Sequence, residues 1–164
     1  MMIKGRVWKF GNNIDTDLIA PGKYLDLEFD EFLSHILEPI NPKFANNVKE
    51  GDLIVAGENF GLGSSREQAP RGLKGLGISC IVAESFARIF YRNCISIGLP
   101  ALTSKNVSKE FRDGDEGEVD VKSGRIKNLT TGKVLQANPL PKSMLEILEA
   151  GGILELLKKS QNMV

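Results

Sequence analysis

Histidine is almost missing from this 164-residue sequence, which contains only His35. A metal site built from several histidines is therefore excluded. The two cysteines, Cys80 and Cys94, are too few for an ordinary iron–sulfur cluster or a structural zinc site, which need three or four protein ligands. Because both cysteines stand among aliphatic residues, we expect them to be reduced thiols in the core.

Net charge is absent as well, since 21 basic and 21 acidic residues cancel. The sequence thus gives no electrostatic reason to expect nucleic acid or an anionic membrane surface as a partner. No apolar run approaches the roughly 18 residues of a membrane span, and the opening MMIKGRVW has no apolar core of signal-peptide length. We therefore expect a cytoplasmic protein.

The composition that is present is ordinary for a globular domain, with 41% apolar and 26% charged residues. The length fits one domain, which we predict to span residues 1–164. Short apolar runs at 52–56, 78–83 and 101–103 predict buried strands separated by helices, and alternating residues within 117–136 predict a small antiparallel meander. These segments indicate a mixed α/β domain with helices packed outside the sheet.

The terminal regions show further patterns. Residues 3–10 alternate partly and predict a strand, whereas residues 11–21 are rich in Asn and Asp and predict a loop. Apolar residues at 29, 32, 33 and 36 have the spacing of an amphipathic helix, which we expect to span 29–36. Helical periodicity returns at 144–157, interrupted by two adjacent glycines.

The segment GENFGLGSSRE at 57–67 directly follows a buried apolar run. Ser64 and Glu67 have the spacing of a capping box, which favours a purely structural role. The same glycine-rich loop would also point several N–H groups at one place, where a helix dipole favours negative charge. Arg66 adds a planar fork that suits a carboxylate or a phosphate. The spacing alone allows both interpretations.

Two common motifs do not match this loop. No Lys-Ser or Lys-Thr pair follows the glycines, as a Walker P-loop requires. The residues two positions after Ser64 and Ser65 are Arg66 and Glu67, not the glycine of a hydrolase nucleophile elbow. A serine nucleophile also needs a base, and the single candidate, His35, lies on a predicted amphipathic helix. The sequence therefore disfavours a serine hydrolase.

Four motifs occur in order along the chain: NIDTD at 13–17, PGKYL at 21–25, GENFGLGSSREQAP at 57–70 and AESFARIFYRN at 83–93. Together they closely resemble the family of 3-isopropylmalate dehydratase small subunits and their homoaconitase relatives, which correspond to the swivel domain of aconitase. The resemblance covers nearly the whole chain and declines after about Gly124. It implies a swivelling β/β/α fold, a flattened barrel-like mixed sheet with flanking helices.

The resemblance also implies a partner and a reaction. In this family a separate large subunit carries a [4Fe-4S] cluster, and the active site lies between the two chains of a heterodimer or heterotetramer. We therefore expect this chain to bind no metal or cofactor itself. The implied hydro-lyase reaction moves a hydroxyl group between neighbouring carbons of a small dicarboxylic acid, as in the isomerisation of 2-isopropylmalate and 3-isopropylmalate in leucine biosynthesis.

The motif match implies roles for individual residues. Ser64 is the implied catalytic base, acting as an alkoxide, and the substrate carboxylate is bound by Gly63, Ser65 and Arg66. Asp17 matches an active-site acidic residue of the family and is expected to orient the serine or its loop. The alternative for Asp17 is a turn-stabilising role for its side chain.

Two arginines in the last motif, Arg88 and Arg92, are four positions apart and share one face of a predicted helix. They either contact the partner chain or hold the loop through buried ion pairs. Of these two roles we favour the ion pairs.

The stretch that begins with PGKYL is implied to recognise the variable end of the substrate. Homoaconitase-type chains carry an arginine after the Tyr-Leu pair, whereas Asp26 follows Tyr24 and Leu25 here. An acidic residue at this position repels a third carboxylate. Leu25, Leu27 and Phe29 instead predict an apolar pocket that suits an isopropyl group.

Alternative functions remain open at this point, because the usual Thr-rich continuation of the family is replaced by Asp-Leu-Glu at 26–28. Within the enzyme class the alternatives are a homoaconitase and a dehydratase of methyl- or dimethylmalate. From another class, the alternative is a non-catalytic module that retains the anion-binding loop.

Overall fold

The computed structural model describes residues 1–162, and no helix within this range is long and apolar enough to cross a membrane. The strands are β1 (Met2–Lys9), β2 (Leu53–Ala56), β3 (Cys80–Ala83), β4 (Ala101–Thr103), β5 (Glu116–Asp120), β6 (Arg125–Asn128) and β7 (Val134–Gln136). The helices are α1 (Thr16–Ile19), α2 (Phe29–Leu33), α3 (Phe44–Asn47), α4 (Gln68–Gly75), α5 (Arg88–Ser96), α6 (Val107–Glu110), α7 (Lys142–Ala150) and α8 (Ile153–Asn162).

Within residues 1–162 one sheet contains all seven strands, in the order β4-β3-β2-β1-β5-β6-β7. Strand β1 joins its two halves, because residues 7–9 pair in parallel with β2 and residues 2–6 pair antiparallel with β5. Strands β2, β3 and β4 continue the parallel half, and β5 to β7 form the antiparallel meander. The predicted β-α-β core and the predicted meander are both confirmed.

The burial of the strands explains why their sequences differ. Every residue of β2 and β3 is buried, as expected for parallel strands that are covered on both faces. Strands β5 and β6 alternate between buried and more exposed residues, as expected for strands with one solvated face.

The two edges of the sheet approach each other. Asn138, just after β7, donates its backbone N–H to the carbonyl oxygen of Thr103 in β4 at 2.8 Å. Ser104 Oγ donates to the carbonyl oxygen of Gln136 in β7 at 3.1 Å. These bonds curl the sheet into a flattened half-barrel with flanking helices, which confirms the fold class that the resemblance implied.

Both cysteines lie in the core, as predicted. Cys80 of β3 and Cys94 of α5 are buried free thiols. Burial raises the pKa of the Cys80 thiol to about 12 and holds the pKa of the Cys94 thiol well above its ordinary value. Both groups are therefore protonated at neutral pH and act as small apolar side chains.

Two predictions for the N-terminal region were wrong. Residues 11–21, predicted as a loop, contain α1, whose first turn is capped by Asp15 through a 2.8 Å hydrogen bond from the Leu18 N–H. The helix predicted for 29–36 ends at Leu33, and Leu37 adopts a φ of 59°. The Leu37 N–H donates to the carbonyl oxygen of Ile19 in α1 at 2.9 Å. This contact with α1 takes the place of a further turn of α2.

Gly61 lets the 57–67 loop pack closely against Phe90 of α5. Its φ is +84°, and a Cβ at this position would lie 2.1 Å from Phe90 Cγ. We expect Gly61→Ala to lower the free energy of unfolding by about 2–4 kcal/mol, because overpacking and a left-handed backbone both oppose the methyl group. Urea denaturation of the purified chain measures this change.

Gly132 provides a matched control, because it has the same φ of +84° and no atom within 4 Å of its hypothetical Cβ. Gly132→Ala is expected to cost only about 1–2 kcal/mol, the left-handed backbone penalty. Equal losses in the two variants would show that contact with Phe90 does not hold the loop.

Candidate active site

The candidate residues meet at one edge of the parallel half of the sheet. The carboxyl ends of β1, β2 and β3 lead into residues 10–17, 57–67 and 84–87, and the carboxyl ends of neighbouring parallel strands share an edge. Ligands of open α/β sheets bind at this edge. The fold therefore brings together parts of three of the four sequence motifs, those at 13–17, 57–70 and 83–93.

Backbone hydrogen bonds hold the 57–67 loop between its neighbours. On one side it forms two bonds to residues 14–16, with N···O distances of 2.7 and 2.9 Å. On the other side Phe60 exchanges two bonds with residues 84–87, of 3.1 and 3.0 Å. The loop is thus anchored through its main chain, which leaves the side chains at its end available for other contacts.

Ser64 is exposed near the end of this loop, and its Oγ lies 3.1 Å from Oγ1 of Thr16, a buried residue of α1. Gly63 allows this approach. Its φ is +106°, and a Cβ there would lie 3.3 Å from Thr16 Oγ1. Sequence reasoning missed Thr16, although the residue stands within the NIDTD motif.

Arg66 turns toward α1. Its Nη1 donates to Asp17 Oδ1 at 3.0 Å and to the carbonyl oxygen of Ala20 at 2.8 Å, and the side chain remains 22% exposed. These two bonds aim the guanidinium while leaving part of it accessible. Asp17 therefore orients Arg66, whereas Ser64 is bonded to Thr16.

Asp17 also accepts the N–H of Gly22 at 3.0 Å, through the same Oδ1 that binds Arg66. The Arg66 hydrogen bond, and after it the Gly22 bond, hold the pKa of Asp17 below its ordinary value of 3.8. The carboxylate is therefore ionised at neutral pH. It thus contacts a residue of the 57–67 loop and also accepts a backbone N–H within its own segment, and its role in the reaction stays a prediction.

Ser65 lies exposed between these residues, and its hydroxyl makes no hydrogen bond to another side chain or backbone group of residues 1–162. A cleft of about 480 Å³ lies elsewhere, between α4, α5 and the start of α8, and residues 64–66 do not line it. Ser64 and Ser65 are thus exposed at the surface, and the Arg66 side chain beside them is 22% exposed.

The capping-box interpretation was wrong. Helix α4 begins at Gln68, Glu67 at its N-cap has helical dihedral angles of −69° and −25°, and no side chain caps the helix. Ser64 lies four residues before the helix and is bonded to Thr16 instead. The helix dipole therefore acts near Arg66 rather than at the serine, since it declines within the first turn.

The stretch predicted to read the substrate begins beside Arg66 with a 3₁₀ turn, Gly22–Tyr24. The Tyr24 ring stacks on His35 with 3.6 Å between ring centroids, and its hydroxyl donates to Glu38 Oε1 at 3.0 Å. Hydrogen bonds from His35 and then Tyr24 lower the pKa of Glu38. His35 thus helps to hold Tyr24 and Glu38 in place, and it forms no hydrogen bond with the Ser64 hydroxyl group.

The apolar side chains of this stretch point to different surroundings. Leu25 packs partly against the core, and Leu27 is 38% exposed beside the exposed Asp26. Phe29 lies against Gly75 of α4, whose hypothetical Cβ would be 3.1 Å from the ring. Within residues 1–162 Leu25 and Phe29 thus pack against different neighbours, and the apolar pocket predicted for this stretch stays a prediction.

The ion pairs predicted for Arg88 and Arg92 are not formed. Both residues are exposed on α5, and neither makes a salt bridge or side-chain hydrogen bond within the part of the chain that the structure describes. Ile89 between them is 53% exposed. The prediction of buried ion pairs is therefore wrong for residues 1–162, and contact with a partner chain stays a prediction.

Comparisons with known proteins point to one family. Residues 30–107 match the aconitase C-terminal domain. The isopropylmalate/citramalate isomerase small subunit of Methanocaldococcus jannaschii is 58% identical over 96% of this chain and 95% of that protein. The 3-isopropylmalate dehydratase small subunit 1 of Thermotoga maritima is 57% identical over 96% of each chain. The methanogen homoaconitase small subunit of Methanothermobacter thermautotrophicus is 54% identical over 93% of this chain and 88% of that protein.

The fold has a close counterpart among solved structures. The crystal structure of 3-isopropylmalate dehydratase from Methanocaldococcus jannaschii matches 99% of this chain and 97% of that chain. The TM-score is 0.93 and the sequence identity 45%. The similarity therefore extends over the whole domain, including the strands that carry the candidate site.

Proposed function

This chain belongs to the family of 3-isopropylmalate dehydratase small subunits, and we propose that it supplies half of the active site of a two-chain hydro-lyase. The enzyme isomerises 2-isopropylmalate and 3-isopropylmalate by dehydration and rehydration, a step of leucine biosynthesis. The observation that carries the proposal is one exposed loop on which a serine hydroxyl and an oriented arginine stand two residues apart.

In this proposal Ser64 is the base. Its alkoxide takes the proton from the carbon next to the one that bears the hydroxyl group, and the electrons of that C–H bond form the double bond as the hydroxyl leaves. Rehydration returns the proton and the hydroxyl in exchanged positions. A serine hydroxyl is a very weak acid, so the alkoxide needs the cationic Arg66 and hydrogen-bond donors nearby.

Arg66 binds a substrate carboxylate, assisted by the Ser65 hydroxyl and by the backbone that Gly63 allows to approach. A charged hydrogen bond of this kind contributes about 1.5–3 kcal/mol. Because Asp17 and the Ala20 carbonyl already orient the guanidinium, little side-chain freedom is lost when the carboxylate binds. The same arginine therefore serves binding and activation of the base.

The partner in this proposal is the large subunit, in a heterodimer or a heterotetramer. It covers the open surface around residues 64–66, and the exposed Arg88 and Arg92 on α5 are placed to contact it. No three side chains of His, Cys, Asp and Glu gather within residues 1–162 in a way that fits a metal centre. Following the family resemblance, we assign the [4Fe-4S] cluster to the large subunit, where it would supply the Lewis acid for the leaving hydroxyl.

A related substrate is the second candidate, because relatives of this chain are named isopropylmalate/citramalate isomerase and homoaconitase small subunits. The stretch proposed to read the substrate contains Tyr24, Leu25, Asp26 and Leu27, and Asp26 is exposed. Its negative charge disfavours the third carboxylate of a homoaconitase substrate. A methyl-substituted malate remains compatible with this charge.

The test mixes the purified chain anaerobically with the cluster-loaded large subunit of the same organism. The complex is offered 3-isopropylmalate, citraconate, cis-homoaconitate and dimethylmalate in parallel, and each chain alone is the control. We expect turnover of 3-isopropylmalate that requires both chains. Turnover of only another substrate would retain the mechanism and overturn the assigned substrate. A formed complex with an intact cluster, without turnover of any of them, would favour the anion-binding module.

A further inference from the structure

A buried hydroxyl group is directed at the proposed base. Thr16 is 3% exposed, and its Oγ1 lies 3.1 Å from Ser64 Oγ, within hydrogen-bond distance for two hydroxyl groups. Within residues 1–162 no other side chain or backbone group forms a hydrogen bond with Thr16 Oγ1. Within the described residues, the hydroxyl group of the buried Thr16 thus has Ser64 as its hydrogen-bond partner.

The contact is not needed to attach α1 to the loop. The Thr16 N–H already donates to the Leu62 carbonyl oxygen at 2.9 Å, and the Gly61 N–H donates to the Ile14 carbonyl oxygen at 2.7 Å. Neither of these main-chain bonds involves the side chain at position 16. Because Ser64 is exposed, water can also replace the lost partner of its hydroxyl group.

We infer that Thr16 is a positioning residue for the reaction: its hydroxyl donates to Ser64 Oγ, which aims the base and stabilises its alkoxide form. The inference rests on the proposed role of Ser64. A neutral donor at this distance favours the charged over the protonated form of the acceptor. Its burial also keeps the donor oriented before the proton is transferred, so no reorganisation is needed.

The charged groups around the serine differ in their contacts. Asp15 has its carboxylate engaged by the Leu18 N–H, Asp17 is paired with Arg66, and Glu67 is exposed. None of these contacts involves the Thr16 side chain. A change in the pH dependence of a variant at position 16 therefore reports the missing hydroxyl group.

The test compares Thr16→Val and Thr16→Ser in the complex with the large subunit. Thr16→Val replaces the hydroxyl with a methyl group of similar size, and kcat is expected to fall roughly 10–100-fold. The pKa on the acid limb of its pH–rate profile should rise by about one to two units. Thr16→Ser retains the hydroxyl group and should stay within about threefold of the unaltered enzyme, with an unchanged profile.

Thermal unfolding of the isolated variants verifies that they fold, and Thr16→Ala replaces Thr16→Val if the latter does not. An unchanged pH profile in the variants without the hydroxyl, or equal losses in Thr16→Ser, would assign Thr16 a purely structural role and overturn the inference. An unaltered complex without turnover of any of the four acids would overturn the proposed function, and this inference with it.

Discussion

Ser64→Ala is expected to lower kcat by roughly 10²–10⁴-fold, the range that a positioned general base contributes. The substitution removes the group that takes the proton. It leaves Arg66 held by Asp17 and by the Ala20 carbonyl oxygen, because neither contact involves the serine. Substrate binding should therefore change little, and the loss should lie in kcat rather than in KM.

Steady-state kinetics of the reconstituted complex measure this loss, and Ser160→Ala is the matched control. Ser160 is an exposed serine of α8 whose Oγ donates to the carbonyl oxygen of Leu156 in its own helix. The control should be indistinguishable from the unaltered enzyme. A Ser64→Ala complex that retains kcat within a few-fold would exclude the serine as base, and would direct attention to a group of the large subunit.

Arg66→Ala should lower kcat/KM about 100-fold or more, since it removes a charged hydrogen bond to the substrate carboxylate and the cation that favours the alkoxide. Both KM and kcat should therefore change. Arg66→Lys should recover only part of the activity, because an ammonium group retains the charge but lacks the planar fork. Product formation over a range of substrate concentrations separates the two parameters.

Asp17→Asn tests whether Asp17 only orients Arg66 or takes part in the reaction itself. Asparagine is similar in size, and the Ala20 carbonyl oxygen still accepts from Arg66 at 2.8 Å. We expect a loss of less than about tenfold, the effect of a single exposed ion pair. Losses as large as those of Arg66→Ala would mean that Asp17 itself takes part in the chemistry.

Much of the fold was predictable because its strands carry strong local signals. Strands β2 and β3 are uninterrupted apolar runs, and β5 and β6 alternate, so their existence and approximate bounds follow from the pattern of apolar residues. Helix α1 was missed because its four residues are too few to show helical periodicity. The early end of α2 was missed because the contact between Leu37 and Ile19 is tertiary.

The candidate site also has features that the sequence determined and features that only the tertiary structure decided. The sequence by itself determined that residues 63–66 form a glycine-bounded loop after a buried strand, with the serine and arginine that the family resemblance identifies. Only the tertiary structure decided their partners. Ser64 bonds to Thr16 across 48 positions and Arg66 to Asp17 across 49, and no local periodicity records such pairs.

The apolar residues of the proposed substrate-reading stretch show the same limit. Their sequence spacing predicts one apolar pocket for Leu25, Leu27 and Phe29, but only the structure shows that Leu25 packs against the core and Phe29 against Gly75. Local sequence therefore determined which hydroxyl, charged and apolar side chains the loops of the candidate site carry. The parallel pairing of β1, β2 and β3 decided which of them meet, because it places the carboxyl ends of distant segments at one edge of the sheet.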